Sequence, residues 1–337
     1  MERKLSFLAI AFMTLTANAS GFDDTNYIEK WGQLKLVGNQ LSSSSGVAVQ
    51  LKGWSTSSLH TGGVQGCLGK SQFELMKSYG ANIVRLAMHI DDESDGGSYL
   101  SGKELFKQKV KGYIDDAYEA GMYVLVDWHT TGKNGKEGNP WNQREDSEDF
   151  FSEISSYAKS KGYNHVLYEI CNEPNGGTSW ADVKSYAEEI IPIIRANAPD
   201  AIIIVGTPNW SQDVDIAAQN PITGYDNIMY AAHFYAATHT DNIRNKVQTA
   251  LDSGLPIFIS EFSICDASGN GAIDYGQADK WFELIGSNNL SYAGWNISNK
   301  NETSSLIKPD CNKTSWWSED ELSETGVWLR KTILGIK

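Results

Sequence analysis

The chain has 337 residues, room for one large barrel or two modest domains. Its 41% hydrophobic and 21% charged residues make an ordinary soluble globular composition, and no stretch beyond residue 19 is long and apolar enough for a spanning helix. A formal net charge of −14 argues against nucleic acid or an anionic membrane as partner and leaves neutral ligands open.

Residues 1–19 read as a secretory signal. Arg3 and Lys4 open it, residues 5–15 form an apolar segment, and Ala17-Asn18-Ala19 fits a small-x-small cleavage site. Cleavage after Ala19 would leave residues 20–337 as a secreted or periplasmic protein. Losing Glu2, Arg3 and Lys4 removes one negative and two positive charges, which takes the net charge from −14 to −15.

Two strand-like pieces follow, 33–37 and 47–54, around the turn signal Gly38-Asn39. The first reads as a short N-terminal β-hairpin closing one end of the domain. The second ends at Gly53-Trp54 and leads into a polar loop that holds His60. From there the pattern alternates. A helix at 71–79 precedes a strand at 82–88 (NIVRLAM). A helix at 104–120 precedes a strand at 122–128 (MYVLVDW), and a helix at 147–161 precedes the apolar run of HVLYEICNEP, 165–174. A helix at 180–197 leads to a strand at 201–205, and a short helix at 211–219 to a strand at 228–234. A helix at 241–253 leads to a strand at 256–260, a helix at 275–286 to a strand at 290–295, and 320–334 is the last helix.

Eight strands, each followed by a helix or helical turn, spell a single α/β domain, a (β/α)8 TIM barrel. Glycines end many of the helices, and the strands are apolar nearly throughout, as strands covered on both faces must be. A doubly wound open sheet would want a glycine-rich phosphate loop after the first strand, and Gly53-Trp54-Ser55 is not one. No internal repeat, linker or second domain is read.

A barrel does its chemistry at the carboxyl ends of its strands. Those ends deliver Trp54 and His60, then Arg85 and His89, then Asp127, Trp128 and His129, then Asn172 and Glu173. Further on come Trp210, His233, Tyr235, Glu261 and Trp295, with Lys300 and Glu302 just beyond. Several have plain readings. His89 opens a loop, His165 and His239 belong to the surface, Trp128 is barrel packing, and Arg85 is a buried ion pair with Glu169. The 11 Trp and 15 Tyr fit either aromatic cores or flat faces for a sugar. Taken together, so many polar and aromatic groups on one rim are not needed to fill a core. Glu173 and Glu261 end strands that face each other across the mouth, and two carboxylates flanking a cleft are what glycosidic cleavage requires.

The cysteines at 67, 171, 265 and 311 contain no C-x-x-C pair, and the histidines no H-E-x-x-H, so neither a metal site nor a cofactor is expected. Cys171 shares the inward parity of Glu173 and reads as a buried free thiol. Cys265 and Cys311 follow adjacent strands at one rim, and a disulfide between them is expected.

The segments LKGWSTSSLH, NIVRLAM, VLVDWH, YEICNEPNG, VGTPNWSQDV, AAHFYAATH, IFISEFS and GWNISNKNETS resemble glycoside hydrolase family 5, in its branch of bacterial endoglucanases (cellulases). The resemblance runs in order from Leu51 to Ser304. It implies that Glu173 is the acid/base and Glu261 the nucleophile of a retaining mechanism. It implies that Asn172 bonds the sugar 2-hydroxyl, that Arg85 and Tyr235 hold Glu261 ionised, and that His129 and His233 line the cleft. Trp295 and Trp210 would be sugar platforms, and His60, Lys300 and Glu302 polar contacts to hydroxyls. Ser263 stands where many relatives have Gly, and the loop after His60 lacks a Trp that some relatives carry. The expected activity is endo-β-1,4-glucanase on a β-glucan substrate, by a monomer. A mannanase, xyloglucanase or xylanase on the same scaffold is the alternative within the class. A catalytically silent glycan-binding protein or an oxidoreductase is the alternative outside it.

Overall fold

The architecture follows from strands that are apolar on both faces. In a computed structural model, which describes residues 25–59, 68–91, 97–131, 138–313 and 317–336, eight parallel strands close into a barrel. The signal segment 1–19, His60 and Cys67 lie outside the described residues. The chain opens with α1 (Tyr27–Trp31) and an antiparallel hairpin, β1 (Lys35–Val37) and β2 (Gln40–Ser42). The barrel strands are β3 (Lys52–Thr56), β4 (Ile83–His89), β5 (Tyr123–His129), β6 (Val166–Glu169), β7 (Ile203–Val205), β8 (Ile228–Tyr235), β9 (Ile257–Ser263) and β10 (Ser291–Ile297), with β10 closing onto β3. Between and after them lie α2 (Lys70–Ser78), α3 (Lys103–Ala120), α4 (Arg144–Lys161), α5 (Trp180–Arg195), α6 (Pro208–Ser211), α7 (Val214–Gln219), α8 (Asp241–Asp252), α9 (Tyr275–Ser287) and α10 (Glu324–Leu334).

The helix ends are chemically specified. Gly121 and Gly162, at φ 72° and 70°, close α3 and α4 in the left-handed region that only glycine enters without strain. Ser179 and Asp182 cap α5 reciprocally, each satisfying a backbone N–H of the other. The sequence reading does not anticipate α1, which the Asn26 side chain caps by accepting from Ile28 N and Glu29 N at 3.1 Å. The helix expected at 211–219 begins only at Val214, as α7, because Asn209, Trp210 and Ser211 all take positive φ and stand outside a right-handed helix. The last helix starts at Glu324, after a 3₁₀ turn at Glu319–Glu321.

Two apolar layers hold this together. Outside the barrel, Val84, Val126, Trp128, Ile190, Phe262 and Trp281 belong to the shell between strands and helices. There Trp281 stacks on Phe234 with centroids 4.0 Å apart, and truncating such a buried indole to Ala costs about 3–5 kcal/mol. Inside, Leu51, Ile83, Tyr123, Leu125, Leu167 and Phe258 plug the amino-terminal end. Leu34 and Leu41 of the hairpin region cover that plug, and Tyr123 donates its hydroxyl to Gly32 O at 2.6 Å. The hairpin therefore closes the bottom of the barrel, as expected, and leaves the carboxyl-end mouth open.

Above the plug the inward positions turn polar. Register explains a detail that alternation alone would miss. Ala231 pairs with Phe258, but His233 pairs with Glu261, so β9 carries one residue more than β8 over that interval. This is a bulge, which re-aims side chains. Ile259 and Phe262 stay in the outer shell, while Ser260 and Glu261 both meet partners inside.

The thiols correct one expectation. Cys171, Cys265 and Cys311 are all buried and free, so no disulfide joins Cys265 to Cys311. Cys265 donates its S–H to Ser263 Oγ at 3.4 Å, whereas Cys311 packs in the outer apolar shell with Trp317. Neighbouring loops at one rim have put the two sulfurs into different environments. Cys171 is the buried free thiol that the sequence predicts.

Candidate active site

The carboxyl ends of the strands surround a cleft of about 620 Å³. Glu173, Glu261, His129, His233, Tyr235, Trp210, Trp295, Lys300 and Glu302 line it. These are the residues expected there, apart from Arg85 and Asn172, which lie fully buried beneath its floor, and His60. A groove of about 790 Å³ lies at the opposite end beside the hairpin, lined by Lys35, Asp200 and Tyr225 among others. It gathers no comparable set of interacting acids and histidines, so the chemistry belongs to the smaller cleft.

Arg85 organises the floor. From β4 it reaches four strand ends at once. Nε donates to Glu169 at 2.7 Å, Nη1 to Glu261 at 3.0 Å and Ser55 at 3.3 Å, and Nη2 to Asn172 at 2.5 Å, while Asp127 Oδ2 makes an ion-pair contact with Nη2 at 2.9 Å. Burial alone would lower its affinity for a proton, but three carboxylates around it raise that affinity further. Its planar fork suits this many acceptors, which a lysine could not match. The expected pair with Glu169 is present. Asp127, which the sequence places at a strand end without a partner, is a second one, and its other bond is to His129 Nδ1 at 2.6 Å.

The two carboxylates at the mouth sit in different fields. Glu261 accepts from Arg85 and, on its other oxygen, from the Tyr235 hydroxyl at 2.8 Å. Glu173 has His233 Nδ1 at 2.9 Å. Burial raises the Glu173 carboxyl above the usual carboxylate range and the charge of Glu261 adds to that, against the hydrogen bond from His233. One oxygen of Glu173 and one of Glu261 lie within 4.8 Å of each other, with a His233 nitrogen equally close. Burial opposes charge on His233, but Glu169 and Glu173 overcome it and raise its pKa to about 9. At neutral pH it is then an imidazolium, so this trio is a poor donor set for a metal.

Glu173 lies beyond the end of its strand. β6 stops at Glu169, and the segment 170–173 turns over the barrel mouth. Gly206 makes room for it, because a Cβ there would lie 2.3 Å from Cys171 O and 2.9 Å from Asn172 O. Asn172 Oδ1 accepts from Arg85, and Nδ2 donates to Thr130 O at 3.2 Å, which leaves one amide hydrogen for another acceptor.

One wall is aromatic. Trp295 lies parallel to His129 at 5.3 Å, and His129 stacks on His89 at 4.3 Å. His89 is thus not a loop-start residue. It is buried, it lines the cleft, and its Nε2 meets Ser57 O at 2.8 Å. His239 is likewise no surface residue but lines the cleft, where its Nδ1 accepts from Tyr235 N at 2.9 Å. His165 is fully buried near the other end, with Nε2 on Ile114 O at 3.0 Å. Trp128 packs against Tyr99, Phe150 and Phe151, as the plain reading has it. Glu302 accepts from Asn296 at 3.2 Å and Ser304 at 3.3 Å, which holds it at the rim near Lys300. Trp210 is 47% exposed, and its backbone N donates to Pro174 O at 3.0 Å, so it stands beside Glu173.

Barrel, paired carboxylates and aromatic walls define the glycoside-hydrolase class of site, and comparison agrees. The model of the family "Cellulase (glycosyl hydrolase family 5)" matches residues 42–301. An endoglucanase of Clostridium saccharobutylicum is 43% identical over 310 residues, 90% of this chain and 65% of its own length. Endoglucanase A of Butyrivibrio fibrisolvens is 41% identical over 319 residues, 92% of this chain and 70% of its own. The chain thus spans about two thirds of these curated relatives. The catalytic domain of Thermobifida fusca endoglucanase Cel5A, solved with cellotetraose, superposes with a TM-score of 0.83 at 35% identity, covering 91% of this chain and 99% of that one. The chain belongs to glycoside hydrolase family 5.

Proposed function

We propose that the protein is a retaining endo-β-1,4-glucanase that cleaves internal bonds of cellulose and β-glucan by double displacement. The observation that carries the mechanism is the pair Glu173 and Glu261, with oxygens within 4.8 Å and opposite surroundings. A retaining enzyme wants its carboxyl groups about 5–5.5 Å apart, whereas an inverting one needs roughly 6.5–9.5 Å to admit a water. Glu261, which accepts hydrogen bonds from Arg85 and Tyr235, attacks the anomeric carbon. Glu173, with burial and a neighbouring charge favouring its acid form, protonates the departing glycosidic oxygen as that bond breaks. In the second step Glu173 takes a proton from water, and the water oxygen displaces Glu261 from the sugar. Asn172 offers its remaining amide hydrogen to the 2-hydroxyl, and Trp295 and Trp210 present flat faces to sugar rings.

The substrate reading rests on kinship with enzymes named endoglucanases and on the open aromatic cleft. A reducing-sugar assay across carboxymethylcellulose, barley β-glucan, mannan, xylan and xyloglucan tests it. Preference for the first two supports the proposal, and preference for mannan or xylan overturns it. Action as an exported monomer belongs to the same reading. Among the described residues no helix is long and apolar enough to cross a membrane. Mature protein beginning at Ser20 would establish processing of the signal.

A further inference from the structure

One unbroken hydrogen-bonded path links the two mouth carboxylates beneath the cleft. It runs from Glu173 to His233 Nδ1 (2.9 Å), from His233 Nε2 to Ser260 Oγ (2.9 Å), and from Ser260 Oγ to Glu169 Oε1 (2.5 Å). It continues from Glu169 Oε2 to Arg85 Nε (2.7 Å) and from Arg85 Nη1 to Glu261 (3.0 Å). Ser260 is at its centre, fully buried, and it faces inward by plain alternation from Phe258, while the bulge in β9 brings Glu261 in beside it.

Counting hydrogens along this path fixes where the mobile proton sits. The Ser260 hydroxyl has one hydrogen. Glu169, paired on its other oxygen with a guanidinium, is an acceptor, so that hydrogen goes to Glu169. Ser260 Oγ can then only accept from His233, and Nε2 must carry a proton. Any neutral form of His233 therefore has its lone pair on Nδ1, aimed at Glu173. Removing the last proton from the Glu173–His233 pair sets that lone pair against a carboxylate, which is unfavourable. The titratable and polar groups facing His233 are Glu169 and Glu173 from β6 and its loop, Ser260 and Glu261 from β9, Asp127 from β5, and His239 after β8. None of them offers Nε2 an equivalent neutral acceptor, Glu169 Oε1 standing 3.7 Å away.

We infer that Ser260 is a positioning residue that pins the His233 tautomer and so keeps a proton on the Glu173–His233 pair at the pH of catalysis. With Ser260 absent, neutral His233 can carry its hydrogen on Nδ1 and donate it to ionised Glu173. The deprotonated pair is then stabilised, and the acid is lost at lower pH. The inference rests on Glu173 being the acid/base, and its test separates the two.

The experiment compares wild type, Ser260→Ala and Ser260→Thr. Side-chain ¹⁵N NMR of His233 reads the tautomer whatever the function of Glu173. The inference expects Nε2–H in neutral wild type and Ser260→Thr, and Nδ1–H in Ser260→Ala. On cellooligosaccharides the alkaline limb of kcat/KM in Ser260→Ala should move down by about one pH unit. Ser260→Thr should restore it, and an activated aryl cellobioside should release its leaving group at the wild-type rate in all three. Unchanged tautomer and unchanged alkaline limb in a folded Ser260→Ala protein would overturn the inference. A changed tautomer with an unchanged limb would overturn the acid/base reading of Glu173 and leave the pinning intact.

Discussion

Arg85 donates its Nη1 hydrogen to Glu261 at 3.0 Å, and the guanidinium is wholly sealed from solvent. That one cation also serves Asp127 and Glu169, so it compensates three buried acids. Its replacement by Lys keeps the charge and loses the fork. Arg85→Lys should lower kcat on the order of 10²-fold, as losing one preorganised partner of a reacting group does, with KM little changed. Arg85→Ala leaves buried acids unpaired and should destabilise the fold by about 3–5 kcal/mol. Steady-state kinetics and thermal unfolding check the two expectations separately.

The carboxylates should separate by leaving group. Glu173→Ala should lose hydrolysis of cellulose yet still release an activated aryl leaving group, because the nucleophile remains. Azide should speed its second step by attacking without a general base. Glu261→Ala should show no burst of aryl release. A burst in Glu261→Ala and none in Glu173→Ala would mean that the roles are exchanged.

The stacked wall predicts a graded response to aromatic loss. Trp295, parallel to His129 in the cleft, should be needed on every substrate, since lost binding energy lowers turnover as well as affinity. Trp210 stands further out and is half exposed, so Trp210→Ala should mainly change the product pattern from cellooligosaccharides. Chromatography of products from a series of chain lengths reads both effects.

Two buried histidines predict the pH dependence of stability with opposite signs. His233 has its pKa raised to about 9, so the stability it contributes is full below its ordinary 6.5 and is lost as pH rises through 9. His165 has its pKa lowered to about 4, chiefly by burial. The unfolded chain therefore takes up a proton near pH 6.5 that the fold refuses until about 4, and stability falls across that window by about 3 kcal/mol. Denaturant unfolding of His165→Gln between pH 4 and 7 should show a flatter acid limb than wild type. An identical limb would mean that other groups dominate acid unfolding.

Much of this is legible in the sequence. Apolar strands broken by glycine-ended helices forced the barrel, and Asn172-Glu173-Pro174 and Ser260-Glu261-Phe262 marked the carboxylates. What was not legible is geometric. An even alternation counted from the inward Phe258 would turn Glu261 out of the barrel, and only the extra residue in β9 brings it in beside Ser260. No residue type announces that bulge. His89 reads as a loop residue and His239 as a surface one because a lone histidine near a strand end carries no sign of what surrounds it. The Cys265–Cys311 bridge failed for the same reason: adjacency of loops says nothing about where side chains point.

The central claim is double displacement by Glu261 with Glu173 as acid/base, and the anomeric configuration of the first-formed product tests it most directly. Proton NMR of a cellooligosaccharide digest, followed from the earliest turnover before mutarotation, should show the β-anomer appearing first and the α-anomer growing in later. An initial α-anomer would mean inversion and would contradict the account, whatever the distance between the two carboxylates.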